Sequence, residues 1–339
     1  MYNKEQLERM IVKACKLFYE SGASKTQIAD ILNISITQVN RLLVEARKRG
    51  IVQITINAPR FTELEFELIN AFHLTDARIV QYNEDEIFLR TELGKEAANY
   101  FVDKVKDGNK IGIGSGRTMF EMVKSIQERP KAISIFPISV IAQRDTVVNS
   151  MDANTLVNTL WFKFIPAAKG HNINLFYPHM SIQRIESEIK HLLQIDSLRN
   201  IIDEMSNLDF YFLSTSCLRR DSVIFSFLQE YGQSFNNLAK SGIIGDYLFN
   251  TISSSGEYIS CGLENILITV ELHRLKEAVK NKKMVIVVAG GDSKVEVIKA
   301  GLNVGLFNVL ITDSKTAQKL LQIPGNDRRE DVYESHRNW

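Results

Sequence analysis

Two short stretches of the chain carry residues able to do chemistry together. In KIGIGSGRT, residues 110–118, a short apolar run enters a loop with Gly112, Gly114 and Gly116, and a helical pattern with Met119, Met122, Val123 and Ile126 follows. Glycines admit a ligand close to the backbone, and N–H groups of the loop and helix start can cradle a phosphate. Arg117 adds a charge able to bond in bidentate fashion, while Ser115 and Thr118 add hydroxyl donors. In the second stretch, GGDSK at 290–294, Lys294 follows Gly290 and Gly291 closely enough to bring an ammonium to the same anion. The glycine spacing leaves the dinucleotide fingerprint incomplete, and no Gly-Lys-Ser/Thr of an ATP-binding loop is present.

No catalytic or metal-binding set accompanies these loops. The 6 histidines are scattered without an HExxH spacing, and no GxSxG elbow presents a nucleophile. Cys15, Cys217 and Cys261 are far apart and form no CxxC pair, the pattern of buried thiols rather than of a disulfide framework or a zinc site. No metal or cofactor is expected. A sugar-phosphate isomerase needs only one or two carboxylates near a phosphate loop, and Asp246, Asp292 and Asp313 are available for that alternative.

The elements that must position the loops alternate strand and helix. ARIVQY at 77–82 reads as a strand, an amphipathic stretch from Glu84 to Val105 as a helix, and DFYFLS at 209–214 as another strand. MVIVVA at 284–289, a helix near Val295 to Ala300 and NVLIT at 308–312 form a βαβ unit. Such alternation predicts an α/β, Rossmann-like domain whose mostly parallel sheet binds ligands at the carboxyl ends of its strands. Both glycine loops then open on one sheet edge, joined there by Ser214 and Ser216.

The first sixty residues differ in kind. They hold 10 Lys+Arg against 5 Asp+Glu, whereas the rest of the chain is mildly acidic. A helix over Leu7–Tyr19 with Ile11, Ala14 and Phe18 inward ends at Gly22. Ser24 caps a second helix, Lys25–Leu32; Asn33, Ile34 and Ser35 make a tight turn; and Ser35 caps a third, Ile36–Arg49. This is a helix-turn-helix of the winged type, with IVQITI at 51–56 as the wing strand and a linker around Ala58-Pro59. Thr37, Gln38, Asn40 and Arg41 supply groups that read base edges. Lys25, Thr26, Gln27, Ser35, Arg47 and Lys48 suit phosphates and the backbone of double-stranded DNA. The domain boundaries expected are 1–57 for DNA binding, 58–73 for a linker and connecting helix with Leu64, Leu68 and Phe72, 74–323 for effector binding and oligomerisation, and 324–339 for a polar tail.

At 339 residues, with 45% apolar and 24% charged composition, the chain can bury two cores. No stretch is apolar enough to span a membrane, and MYNKEQLERM lacks the apolar centre of a secretory leader, so a cytoplasmic location is expected.

Taken in order, ACKLFYESGASKTQIADILNIS at 14–35, VNRLLVEARKRGIVQITI at 39–56, IGIGSGRT at 111–118, SGIIGDYLFN at 241–250 with Gly256, and VAGGDSKVEVIKAGL followed by NVLITDSKTAQKLL resemble the SorC-type sugar-binding transcriptional regulators over nearly the whole chain. The resemblance implies a helix-turn-helix joined to an effector domain similar to sugar-phosphate isomerases, which binds a sugar or phosphosugar without turnover, in a homodimer or homotetramer. It implies that Gly114, Ser115, Gly116, Arg117, Thr118 and Lys294 hold the effector phosphate and that Asp246 takes sugar hydroxyls. Repression relieved by the effector is the expected direction. The chain departs from the pattern where Ser115 replaces a Trp common in the family and Ser214-Thr215-Ser216-Cys217 replaces a Gly-Ile-Gly. It also lacks the glycine pair after Pro137 and carries an insertion in ISVIAQRDTVVN. The phosphate half of the pocket is kept and the sugar half is altered.

Overall fold

Serine caps set the geometry of the N-terminal unit. The computed structural model describes residues 4–52, 61–141, 151–175, 181–222, 225, 228–229, 232 and 234–322. The chain divides into two compact units, Met1–Pro59 and Arg60–Trp339. In the first, α1 (Lys4–Cys15) continues through a wider π turn, Lys16–Glu20, before α2 (Lys25–Leu32) and α3 (Ile36–Lys48). Ser24 and Ser35 each form a reciprocal capping box, with Gln27 and Gln38. Asn33 turns the chain between α2 and α3 at φ 51°, a left-handed conformation asparagine tolerates. Ile11, Ala14, Ile28, Val39, Leu43 and Ala46 fill the small core. The wing strand does not begin at Ile51. The N–H groups of Ile51 and Val52 both bond to Ala46 O, at 2.9 and 3.3 Å, closing α3 as a bend. The remainder of the expected wing, the linker around Ala58-Pro59 and the tail lie outside the described residues.

The second unit opens with α4 (Thr62–Phe72), the helix expected to connect the domains. It belongs to this unit, because Leu68 is fully buried and Glu65 accepts the Ile79 N–H at 3.0 Å from the adjoining strand. A seven-stranded sheet follows, made of β1 (Asp76–Val80), β2 (Lys110–Ile113), β3 (Ser134–Pro137), β5 (Lys169–Gly170), β6 (Phe210–Leu213), β11 (Met284–Val288) and β12 (Val309–Asp313). The order is β1-β12-β11-β6-β2-β3-β5, and every pairing is parallel. The central strands are apolar on both faces. Phe210, Phe212, Ile286 and Val288 face a core under α5 (Glu86–Lys104), α6 (Arg117–Ser125) and α7 (Ala153–Phe164), and Tyr211, Leu213, Val285 and Val287 face the opposite core. That alternation with no polar face is the signature of a sheet covered on both sides.

Two antiparallel additions were not legible in the strand–helix alternation: β4 (Ser139–Ile141) pairs with β10 (Leu267–Thr269), and β7 (Thr215–Cys217), β8 (Gly245–Tyr247) and β9 (Asn250–Ile252) form a small sheet. They grow from the carboxyl ends of β3 and β6 and wall the sheet edge. Helices α8 (Ile182–Leu192), α9 (Asp196–Met205), α10 (Phe235–Lys240), α11 (Leu272–Lys280), α12 (Val295–Asn303) and α13 (Ser314–Gln322) complete the second layer.

Close helix packing orders the edge. A Cβ added at Gly94 of α5 would stand 2.5 Å from Glu121 Cβ and 2.8 Å from the Met122 nitrogen of α6, so glycine alone permits this approach. Gly94→Ala gains about 1 kcal/mol in helix propensity but forces two packed backbones apart, at about 1–3 kcal/mol. A net loss of up to about 2 kcal/mol is expected in urea unfolding of the full chain, and a raised midpoint would show that α6 yields.

Candidate functional site

Strand order creates the site. β6 lies between β2 and β11, so the loops that follow these three strands meet at one edge, where the crossovers leave in opposite directions. A cavity of about 580 Å³ opens there, within the second unit. Ser115, Gly116, Arg117 and Thr118 from the first loop, Ser214 and Ser216 after β6, Gly290, Gly291 and Lys294 from the second loop, and Asp246 of β8 all line it. Residues as far apart in sequence as Ser115 and Lys294 thus line one surface.

Gly114 is the exception. It does not line the cavity; its N–H bonds to Phe212 O at 2.9 Å, and a Cβ there would come within 2.9 Å of Leu248 Cδ2. The absence of a side chain at Gly114 admits Leu248. The other loop N–H groups are also engaged, Ser115 to Ser139 Oγ at 3.3 Å and Gly116 to Met151 O at 2.8 Å. The donors left for an anion are those of the first turn of α6, from Arg117 to Met119, which have no intrahelical acceptor. Thr118 is buried beside them, 4% exposed.

Charge in the cavity is unevenly paired. Among the described residues no carboxylate lies within ion-pair distance of Arg90, Arg117 or Lys294, all of which line it. Desolvation pushes Lys294 down to about 8, with the guanidinium groups of Arg90 and Arg117 acting in the same direction and Cys217 and Asp246 against it. Burial pushes the Asp246 carboxyl up to about 6, opposed by the Ser216 hydroxyl, the Phe249 N–H and the charge of Lys294. Ser216 Oγ donates to Asp246 Oδ1, and Phe249 N–H donates to Oδ2 at 2.9 Å. The other two carboxylates considered for catalysis are engaged in the framework. Asp292 pairs with Lys315 and Lys319 at 2.8 and 2.9 Å, and Asp313, fully buried, accepts from Gly291 N–H and Thr316.

In the first unit, Lys25, Thr26, Thr37, Asn40, Arg41, Arg47 and Lys48 are exposed. Gln38 is exposed too, but its Oε1 accepts the Ser35 N–H at 2.9 Å, and Gln27 Oε1 accepts that of Ser24 at 2.9 Å. The amide of Asn40, by contrast, takes no part in the capping box. Ser35 likewise acts as a cap, its Oγ accepting the Gln38 N–H at 3.2 Å. Arg49 pairs with Glu45 at 2.7 Å.

Sequence reasoning missed Arg90, and a signal for it exists. It is a cation between the buried Leu89 and Leu93, one turn before Gly94, on the side of α5 that approaches another helix.

Comparison with known proteins follows the same division. The Sugar-bind family, a sugar-binding domain, matches residues 57–322. The chain is similar to the deoxyribonucleoside regulator of Bacillus subtilis, 27% identical over 322 residues, covering 93% of this chain and 97% of that one. It is also similar to the sorbitol operon regulator of Klebsiella pneumoniae, 24% identical, covering 95% of this chain and all 100% of the relative. The crystal structure of full-length SorC from Klebsiella pneumoniae superposes with a TM-score of 0.68 at 23% identity, covering 94% of this chain and 100% of that one. With a helix-turn-helix ahead of a matched domain that fills most of its length, the chain belongs to the sugar-binding domain family and is a SorC-type sugar-binding transcriptional regulator.

Proposed function

We propose that this regulator is a cytoplasmic repressor of carbohydrate-metabolism genes that grips double-stranded operator DNA through α2 and α3 and releases it on binding a phosphorylated sugar. The observation that carries the reading is the convergence of Arg117, Thr118, Lys294 and the start of α6 on one cavity, with the cations unpaired by carboxylates among the described residues. A phosphate monoester supplies the missing charge. Asp246, Ser214, Ser216 and Ser115 offer the hydroxyl-binding half. The chain acts as a homodimer or homotetramer, placing paired helix-turn-helix units on successive half-sites. It binds the sugar without turnover, since two of the three candidate acids are held in framework contacts.

Thermal unfolding against sugar phosphates and the matching free sugars tests this, because a ligand of the native state raises the midpoint by mass action. A rise confined to phosphorylated compounds, with no isomerised product, is expected; product formation would make the chain an enzyme. Thr118→Ala and Lys294→Ala should each weaken the phosphorylated ligand about tenfold or more. Unchanged affinity in both would remove the loop as a phosphate site.

The ammonium of Lys294 at about 8 gives a pH signature. An anion favours the protonated form, so affinity should fall by up to about tenfold per pH unit above 8, and Lys294→Ala should flatten that slope. On the DNA side, Arg41→Ala should cost about 1–3 kcal/mol and relax one base position, read by competition between operator variants at fixed salt.

A further inference from the structure

The two glycine loops do not account for all the positive charge in the cavity. Arg90 enters it from α5, a helix belonging to neither loop. That helix is clamped between both. Gly94, four residues on, lies against the backbone of α6, while Leu93 Cδ1 stands 3.2 Å from a Cβ built at Gly290 and Leu89 Cδ2 3.8 Å from one built at Gly291. Arg90 shares this side of the helix, so its side chain starts between the first loop and the second.

Its natural intrahelical partner is turned elsewhere. Glu86 precedes Arg90 by one turn, the favourable order for a stabilising pair, yet Glu86 Oε1 lies 3.4 Å from Arg219 Nη1, and Arg219 is held at 2.8 Å by Asp221 as well. Asp152, also at the cavity, caps α7 through the N–H groups of Asn154 and Thr155. A half-buried guanidinium is thus left without an ion-pair partner among the described residues, in a cavity that also holds Arg117 and Lys294. Burial and the charge of Arg117 both disfavour its protonated form, with Glu86 and Glu121 opposing them. Three unpaired cations repel one another in the empty cavity and are satisfied together by one multiply charged anion.

We propose that Arg90 is a ligand-holding residue, the third arm of an anion cradle completed by Arg117 and Lys294 and matched to the dianion of a phosphate monoester. This rests on the phosphate reading of the cavity given above and adds a residue that determines charge selectivity. A neutral sugar leaves Arg90 unpaired, and a phosphorylated one does not.

Inorganic phosphate is a sufficient probe, titrated into the full chain by calorimetry at constant ionic strength, with unfolding midpoints measured in its absence. Arg90→Gln should weaken phosphate about ten- to a hundredfold, and Arg90→Lys, which keeps charge but not the fork, should fall between. The midpoint without phosphate should stay level or rise in Arg90→Gln, because a repulsive charge is removed. Phosphate affinity within twofold of the natural chain in Arg90→Gln, alongside its loss in Lys294→Ala, would overturn the role of Arg90 and leave the loop site standing. A midpoint that falls together with affinity would make Arg90 a framework residue, which also overturns the proposal. No response of the natural chain to phosphate would remove both this inference and the phosphate reading beneath it.

Discussion

The approach of α5 to α6 at Gly94 is the constraint on which the ligand edge depends. Two helices this close exclude any side chain between them, and the distance fixes where the first turn of α6 stands relative to the second loop, against which Leu89 and Leu93 pack. Interiors packed to crystal density transmit a displacement of a few tenths of an ångström without absorbing it. The donors of the α6 start and the charge of Lys294 therefore keep their spacing without touching each other. A cradle built this way is preorganised, and a ligand entering it need not order the loops as it binds.

Preorganisation of like charges has an energetic cost in the free protein. Arg90, Arg117 and Lys294 face one cavity, while nearby carboxylates are directed to Arg219, Lys315, Lys319 and the cap of α7. The ammonium of Lys294 is depressed chiefly by its burial, and the charges of Arg90 and Arg117 add to that. Stability forgone at a binding edge is a common feature of functional sites. Of the three candidate acids, Asp246 and Asp292 line the cavity; Asp292 pairs with Lys315 and Lys319, and both oxygens of Asp246 accept protein donors.

Legibility in the sequence followed periodicity and caps. The helix boundaries of the first unit could be read because Ser24 and Ser35 stand where N-caps must, and the parallel sheet because MVIVVA, DFYFLS and NVLIT are continuous apolar runs. The wing failed at its start since β-branched residues at Ile51 and Val52 also serve to close α3 through Ala46 O, a tertiary use that propensity does not register. The antiparallel additions are three residues long each, too short for a period to show. Gly114 was expected at the ligand, and a glycine in such a loop has two uses, close approach of a phosphate or of a neighbouring side chain, the second of which appears here as Leu248. Arg90 was missed because a cation in an amphipathic helix reads as its solvated face until the partner helix is placed.

The hairpin between β8 and β9 shows how the cavity wall at Asp246 is held. Its two central residues, Leu248 and Phe249, have φ of 52° and 64°, the paired left-handed geometry that ordinarily selects Asn-Gly. Side chains of this size cost on the order of 1 kcal/mol each in that region, so the turn survives only if its surroundings determine it. They do so from three sides. Asn250 Nδ2 donates to Tyr247 O, Leu248 O and Val270 O at 3.1–3.3 Å; Thr269 Oγ1 donates to Leu248 O at 2.9 Å; and Tyr247 Oη donates to Val297 O of α12 at 3.0 Å. Asp246 closes the arrangement by accepting the Phe249 N–H. One carboxylate thus belongs both to the strained turn and to the cavity wall, and its position is locked to α12, the helix that starts at Lys294. The Asp246 carboxylate and the Lys294 ammonium are in this way set at a fixed separation by a turn that no loop preference would have chosen.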